Sequence, residues 1–159
     1  MTQRLNFMAA APAAIEPLIK VAADLEKVGL EPILTELVKI RASQINGCAN
    51  CLHMHTADTL KYGERPERIF LLNAWRESKM YTPRERAALA WTEALTRVAD
   101  TGAPDEDFAA IKAEFNDEQI VHLTVLVGAI NAWNRIAIGL RAQHPNDNRL
   151  AAKSEPVAA

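Results

Sequence analysis

The chain has 159 residues, of which 49% are hydrophobic and 24% charged, and its formal net charge is −2 at pH 7. This length and composition suit one soluble domain with a full core, and the lack of excess basic residues argues against nucleic acid or an anionic membrane as a partner. No apolar run approaches the roughly 20 residues needed to span a bilayer, so we expect a cytoplasmic protein.

From about residue 13 onward, hydrophobic residues recur three or four positions apart, which is the spacing of an amphipathic helix. The first predicted helix covers residues 13–28 and ends at Gly29. The second opens at Glu31-Pro32 and stops at Asn46-Gly47, a pair typical of a left-handed C-terminal stop. The third begins at two cysteines and runs to about Tyr62. The second and third helices are therefore predicted to form an antiparallel hairpin.

Four more helices are predicted in the second half of the chain. The fourth starts at Pro66, and the fifth opens with the capping box of residues 82–85 and runs to about Val98. A short sixth helix reaches Phe115. Residues 116–119 cap a long apolar seventh helix that ends near Gln143. No segment shows the period of a strand, so the predicted class is all-α.

The predicted architecture is an antiparallel bundle of about seven helices, formed by residues 1–143 as a single domain. From His144 to the end the sequence is polar and rich in alanine, and we expect residues 144–159 to form a flexible C-terminal tail. The seventh helix is apolar around most of its circumference and has to be covered on more than one side. A neighbouring subunit is the simplest cover, so we predict a homo-oligomer.

The segment Cys48-Ala49-Asn50-Cys51 contains the two cysteines of the chain, and His55 follows one helical turn later. At helical spacing Cys48, Cys51 and His55 share one face, whereas His53 points elsewhere. Glu36 lies on the preceding helix, nearly level with His55 when the hairpin folds. Two neighbouring thiols with a base and a carboxylate favour a redox-active pair.

Two arguments favour different thiols as the reactive one. Cys48 stands at the helix start, where free backbone N–H groups and the helix dipole favour a thiolate, and where a side chain is usually more exposed. Cys51 lies beside His55, which can act as its base. The residues alone leave the choice open.

The spacing Glu36, eleven residues, Cys48-x-x-Cys51, three residues and His55 resembles the E-x11-C-x2-C-x3-H signature of the alkylhydroperoxidase D-like branch of the carboxymuconolactone decarboxylase family. One difference is Asn50, because the best-studied branch has a histidine directly before the second cysteine. The similarity covers roughly residues 15–142. It includes four further segments, namely residues 37–47, 75–78, 82–89 and 131–135.

The resemblance implies a thiol peroxidase on an all-helical oligomer, a trimer or a hexamer. By the same resemblance Cys51 is the peroxidatic cysteine, His55 its base, Glu36 the far end of a proton relay and Cys48 the resolving cysteine. The implied substrate is a small hydroperoxide, and the implied electron donor is an external dithiol or a protein reductant. This chemistry needs no metal, flavin or haem cofactor.

The predicted function is therefore an antioxidant hydroperoxide reductase with a dithiol and disulfide cycle. One alternative is a disulfide reductase or thiol adaptor that passes electrons to another protein. A second is a zinc-binding or structural helical module, although the local segment offers three of the four ligands that zinc prefers. Lactone decarboxylation is less expected, because the decarboxylase branch generally lacks the cysteine pair.

Several other residues are assigned structural roles. We predict that His122 is a hydrogen-bonded core or interface residue. The tryptophans are predicted to anchor the core or a subunit interface, and four arginines are predicted to lie on a charged helix surface. These residues are Trp75, Trp91, Trp133, Arg76, Arg84, Arg86 and Arg135.

Overall fold

The computed structural model describes residues 2–144, and the regular secondary structure of this range is entirely helical. The all-α class is confirmed. The described residues form nine α-helices rather than about seven, because two helices of four residues each, α1 and α7, add to the predicted ones. Residues 145–159 of the predicted tail lie outside the described residues. The helices are α1 Phe7–Ala10, α2 Pro12–Leu25, α3 Pro32–Asn46, α4 Ala49–Lys61, α5 Pro66–Leu71, α6 Pro83–Thr96, α7 Val98–Thr101, α8 Asp105–Glu114 and α9 Asp117–Leu140.

The helix boundaries follow the local signals of the sequence in most cases. Gly47 ends α3 in the left-handed region with φ 71°, and complete capping boxes open α6 and α9. Three predicted ends are too late. The helix predicted to reach Val28 ends at Leu25. The helix predicted to reach Val98 ends at Thr96, because Arg97 leaves the helical region with ψ 32° before α7 begins. The last helix ends at Leu140 because Arg141 adopts a left-handed conformation with φ 53°.

The centre of the bundle consists of α3 and α9, with α4, α6 and α8 packed around them. Leu37, Ile40, Leu89 and Leu123 are fully buried, and burying each such side chain contributes about 1.5–3 kcal/mol. Trp75 and Trp91 lie in this core. The predicted core role of these two tryptophans agrees with their placement.

The helix α9 has the length and composition of a membrane span, contrary to the expectation that no segment does. It packs against α2, α3, α4, α6 and α8. It also buries Asn131 and Asn134 with hydrogen-bond partners. Because a core helix of a globular bundle has the same length and composition, this similarity is weak evidence for a membrane.

An amide cluster fixes the C-terminal end of α3 against α9. The Nδ2 group of Asn46 donates to Oδ1 of Asn131 at 2.9 Å and to Oδ1 of Asn134 at 2.8 Å. The Nδ2 group of Asn134 donates in turn to Oγ of Ser43 at 3.1 Å. Since buried amides are costly without partners, these bonds determine where the chain leaves α3 and enters α4.

Of the four arginines predicted on a charged surface, Arg76 and Arg135 are exposed as expected and Arg84 and Arg86 are half-buried; all except Arg135 also join different segments. Arg86 donates to the backbone carbonyls of Trp75 and Ser78, and Arg84 donates to Glu31 and to the carbonyl of Glu114. Arg76 lies over the ring of Trp75 at 4.3 Å and pairs with Glu93, and Arg135 donates to Asn131. Most of their partners come from distant parts of the chain, which local sequence patterns do not reveal.

Candidate active site

The turn between α3 and α4 places the cysteine pair at a helix start. Cys48 is the N-cap residue of α4, with an extended backbone of φ −85° and ψ 94°. Its Sγ atom accepts a hydrogen bond from the backbone N–H of Cys51 at 3.3 Å, and its carbonyl accepts one from Leu52 at 2.9 Å. Cys48 therefore takes the capping position that a serine or aspartate commonly fills.

Cys48 and Cys51 are joined by a disulfide bond, with Cα atoms 5.4 Å apart. Their exposed fractions are 1% and 2%. The expectation that the thiol at the helix entry is the more exposed is therefore not met, because Cys48 packs among Ala42, Ile130 and Ala137. The pair is enclosed by the bundle rather than displayed on its surface.

The hairpin brings Glu36 and His55 into direct contact. The Nδ1 atom of His55 lies 2.8 Å from Oε2 of Glu36, and both side chains are buried. Burial opposes ionisation of Glu36, but the hydrogen bond and charge of His55, together with the charge of Lys39, outweigh it and hold the pKa of Glu36 below its usual value. The carboxylate is therefore ionised at neutral pH and can orient the imidazole.

Lys39 is a member of this cluster that the sequence reasoning missed. Its Nζ atom donates to Oε1 of Glu36 at 2.7 Å, and its side chain is only 15% exposed. The two residues lie three positions apart on α3, a spacing that places side chains on one face. This spacing could have indicated the Glu36–Lys39 pair from the sequence. It did not identify the pair as part of the site, because ion pairs at this spacing are common on solvent-exposed helices.

His53 lies on a different face of α4, as predicted, and its ring stacks on His144 with the centroids 5.0 Å apart. His122 differs from expectation, since its buried Nδ1 atom has no hydrogen-bond partner. Within residues 2–144, no group of three or more His, Cys, Asp or Glu side chains is arranged to hold a metal ion.

A cavity of about 430 Å³ lies against the cluster. Its polar side contains Cys51, His55, Glu36, Lys39 and Asn50. Cys48 is not among its lining residues. Apolar side chains form the opposite walls, which come from α1, α2 and α9; among them are Phe7, Met8, Ile19, Leu126, Ile130 and Trp133. Trp133 thus forms part of the cavity wall, whereas the sequence favoured a role as a core or subunit-interface anchor. Cys51 is the cysteine that a small molecule in this cavity would meet.

The sequence profile of the Carboxymuconolactone decarboxylase family matches residues 9–94, which include Glu36, both cysteines and His55. The uncharacterized protein YdfG of Bacillus subtilis (strain 168) is 37% identical over 153 residues, covering 96% of this chain and all of YdfG. These matches place the cysteine cluster within the region shared with known relatives.

Two solved structures are similar in fold. A protein of unknown function from Agrobacterium tumefaciens, described as the putative antioxidant defence protein AhpD, aligns with a TM-score of 0.89 and 45% identity over 92% of this chain and 100% of that one. The alkylhydroperoxidase AhpD core of a peroxidase-related protein from Ralstonia eutropha JMP134 aligns with a TM-score of 0.77 and 21% identity, covering 89% of this chain and 75% of that one. The second similarity concerns the fold alone.

Proposed function

Because this chain belongs to the carboxymuconolactone decarboxylase family, in its AhpD-like branch, we propose that it is a thiol-dependent hydroperoxide reductase. One observation carries the proposal. Cys51, disulfide-bonded to Cys48, lies in the wall of a cavity that also contains the hydrogen-bonded pair of His55 and Glu36. A reactive sulfur, a base and an enclosed space for a small substrate are the components that this chemistry requires.

The first step consumes the peroxide. In the reduced protein His55 takes the proton of the Cys51 thiol, and the thiolate attacks the terminal oxygen of the hydroperoxide. The O–O bond breaks, and the leaving alkoxide receives the proton from the imidazole. The products are an alcohol and a sulfenic acid on Cys51.

The second step closes the disulfide. The Cys48 sulfur attacks the sulfenic sulfur of Cys51, an S–S bond forms, and water leaves with the thiol proton. One hydroperoxide and two thiols thus give one alcohol, one water and one disulfide. An external dithiol then supplies two electrons and two protons to restore both thiols.

The buried cluster supports the first step electrostatically. Glu36 accepts a hydrogen bond from His55 on one oxygen and from Lys39 on the other. Both carboxylate oxygens are thus held in place, and the negative charge favours the protonated imidazole that forms when Cys51 is ionised. Asn50 takes the position of a second histidine, so His55 is the base in this proposal.

A disulfide reductase or thiol adaptor is the second candidate, because the same cysteine pair could exchange with a partner protein. The burial of both sulfur atoms favours the peroxidase, since a protein thiol has to reach a sulfur in line with the S–S bond. A small peroxide needs only the cavity.

The cysteine roles are tested by peroxide consumption with dithiothreitol as the reductant. Cys51→Ser should abolish consumption, because no thiolate then faces the cavity. Cys48→Ser, reduced and then freed of dithiothreitol, should consume one equivalent of peroxide and leave a sulfenic acid on Cys51 that dimedone traps. Lys79→Ala is the control and should retain turnover, because Lys79 is exposed and is not among the cavity residues. Trapping on Cys48 in Cys51→Ser, with none on Cys51 in Cys48→Ser, would contradict the assignment.

A further inference from the structure

The buried disulfide poses an access problem. Cys48 and Cys51 are 1% and 2% exposed, and of the two only Cys51 lines the cavity. A small peroxide can enter a cavity of about 430 Å³, but an external dithiol has to bring its sulfur onto the disulfide. Part of the cavity wall therefore has to move during the cycle.

The cavity walls that α2, α3, α4 and α9 contribute each include buried core residues. Leu126 and Ile130 of α9 are 4% and 3% exposed, and Glu36 of α3 is 5% exposed. Moving these residues would open the centre of the bundle, which costs a large part of the total stability. The wall formed by α1 is not anchored in the core, because this helix has no buried residue and Met8 is 48% exposed.

A few contacts hold α1 over the cavity. The backbone N–H of Arg4 donates to the carbonyl of Leu140 at 3.1 Å, and its Nη1 group donates to the carbonyl of Gly139 at 3.0 Å. The rings of Phe7 and Trp133 lie 6.4 Å apart. The carbonyls belong to the last turn of α9, where free acceptors and the helix dipole favour a cation.

We propose that residues 4–10 form a strap over the cavity and that Phe7 and Met8 determine which molecules reach Cys51. With the strap closed, the cavity admits a compact hydroperoxide, and its apolar walls favour an uncharged substrate. With the strap open, a dithiol reaches the disulfide. The substrate assignment rests on the proposed function, whereas the access role of the strap does not.

The reductive step follows from an open strap. One thiolate of the external dithiol attacks a sulfur of the Cys48–Cys51 bond, which breaks and leaves a mixed disulfide and one cysteine thiolate. The second thiol of the donor then displaces the remaining cysteine sulfur. The donor becomes a disulfide, and its two protons end on Cys48 and Cys51.

Thiol labelling tests the strap without peroxide. In a Cys48→Ser background Cys51 is the single thiol, and serine can keep the N-cap bond of α4. The probes are iodoacetamide, which is small, and fluorescein maleimide, which is bulky. Phe7→Ala should raise the maleimide rate about tenfold and leave the iodoacetamide rate nearly unchanged, because the lost ring contact opens the outer wall.

Phe70→Ala is the matched control, since Phe70 is 81% exposed and is not among the cavity residues; it should change neither rate. Arg4→Ala removes the side-chain bond to Gly139 without removing a wall side chain, and it should raise the maleimide rate in the same direction as Phe7→Ala. If Phe7→Ala does not fold, the maleimide rate of Arg4→Ala still tests the proposal. Unchanged maleimide rates in the strap variants, or equal acceleration of both probes, would overturn the proposal.

Peroxide assays separate this inference from the proposed function. In the chain with both cysteines, Phe7→Ala should raise kcat/KM for bulky cumene hydroperoxide relative to hydrogen peroxide. If the unsubstituted chain consumes no peroxide but the labelling changes as expected, the proposed function fails and the access role of the strap stands. If peroxide is consumed and labelling does not change, the strap is wrong and the function stands.

Discussion

Glu36 is the residue of the candidate site that joins helix α3 to helix α4. It bonds His55 from the next helix through one oxygen and Lys39 from its own helix through the other. Its pKa is held below the usual value despite burial, which opposes ionisation, because these two groups favour the carboxylate. A buried carboxylate with a hydrogen-bond partner on each oxygen is a fixed negative charge beside the imidazole.

The base assignment gives a prediction at this scale. His55→Gln removes the group that stabilises the Cys51 thiolate, so the apparent pKa of that thiol should rise and its alkylation rate at pH 7 should fall about tenfold. The measurement is the rate of iodoacetamide alkylation against pH in the reduced Cys48→Ser background, where Cys51 is the single thiol. His53→Gln is the matched control, because His53 lies on the same helix but stacks on His144. An unchanged profile in His55→Gln would remove His55 from the mechanism.

At the scale of elements, Glu93 joins helix α6 to helix α3 and to the segment that follows α5. Its carboxylate accepts hydrogen bonds from Arg41 at 2.7 Å, Trp75 at 2.8 Å and Arg76 at 2.9 Å. Arg41 is itself buried, at 7% exposed. Burial of Glu93 opposes its ionisation, yet these three donors prevail and hold its pKa below the usual value.

Glu93→Gln should therefore destabilise the fold by about 3 kcal/mol at pH 7, because Arg41 then lacks its counter-charge. A carboxyl group whose pKa is lowered by folding stabilises fully above its unfolded pKa of about 4.3, and this stabilisation is lost as the pH falls through the folded pKa. The stability difference between the two chains should accordingly shrink below about pH 4.

Urea unfolding at pH 7 and at pH 3.5 measures this difference, and Glu16→Gln, at an exposed position of α2, should show little change at either pH. A difference between Glu93→Gln and the unsubstituted chain that is the same at both pH values would show that the charge of Glu93 is not the source of its effect.

Caps, prolines and glycines in the sequence predicted most helix boundaries, but no sequence signal predicted the cavity. Gly47, Pro66 and the capping box at Thr82 act within a few residues, so they could be read directly from the sequence. The contact of Glu36 with His55 followed from hairpin geometry. The wall residues Phe7 and Trp133 meet only because distant helices pack together, and no local pattern indicates that contact.

At the scale of the whole molecule, apolar side chains remain exposed on several helices. Val121 and Val125, one turn apart on α9, are 59% and 44% exposed, and Phe70 on α5 is 81% exposed. Apolar residues at successive turns of one helix form a continuous patch, and such patches commonly mark subunit contacts. The sequence-based reasoning that α9 needs cover on more than one side therefore still applies after α9 has packed into its own bundle.

We accordingly predict a homo-oligomer, a trimer or a hexamer, with α9 in the subunit contact. Sedimentation at micromolar concentration should give a mass that is a multiple of the 17.5 kDa chain. Replacing Val121 and Val125 together by lysine should dissociate the assembly, because charged groups are costly to bury at an interface. Val98→Lys, at a 52% exposed valine on α7, is the matched control and should leave the assembly intact. A stable, unaggregated monomer of the unsubstituted chain would contradict the prediction, and dissociation by Val98→Lys alone would move the interface from α9 to α7.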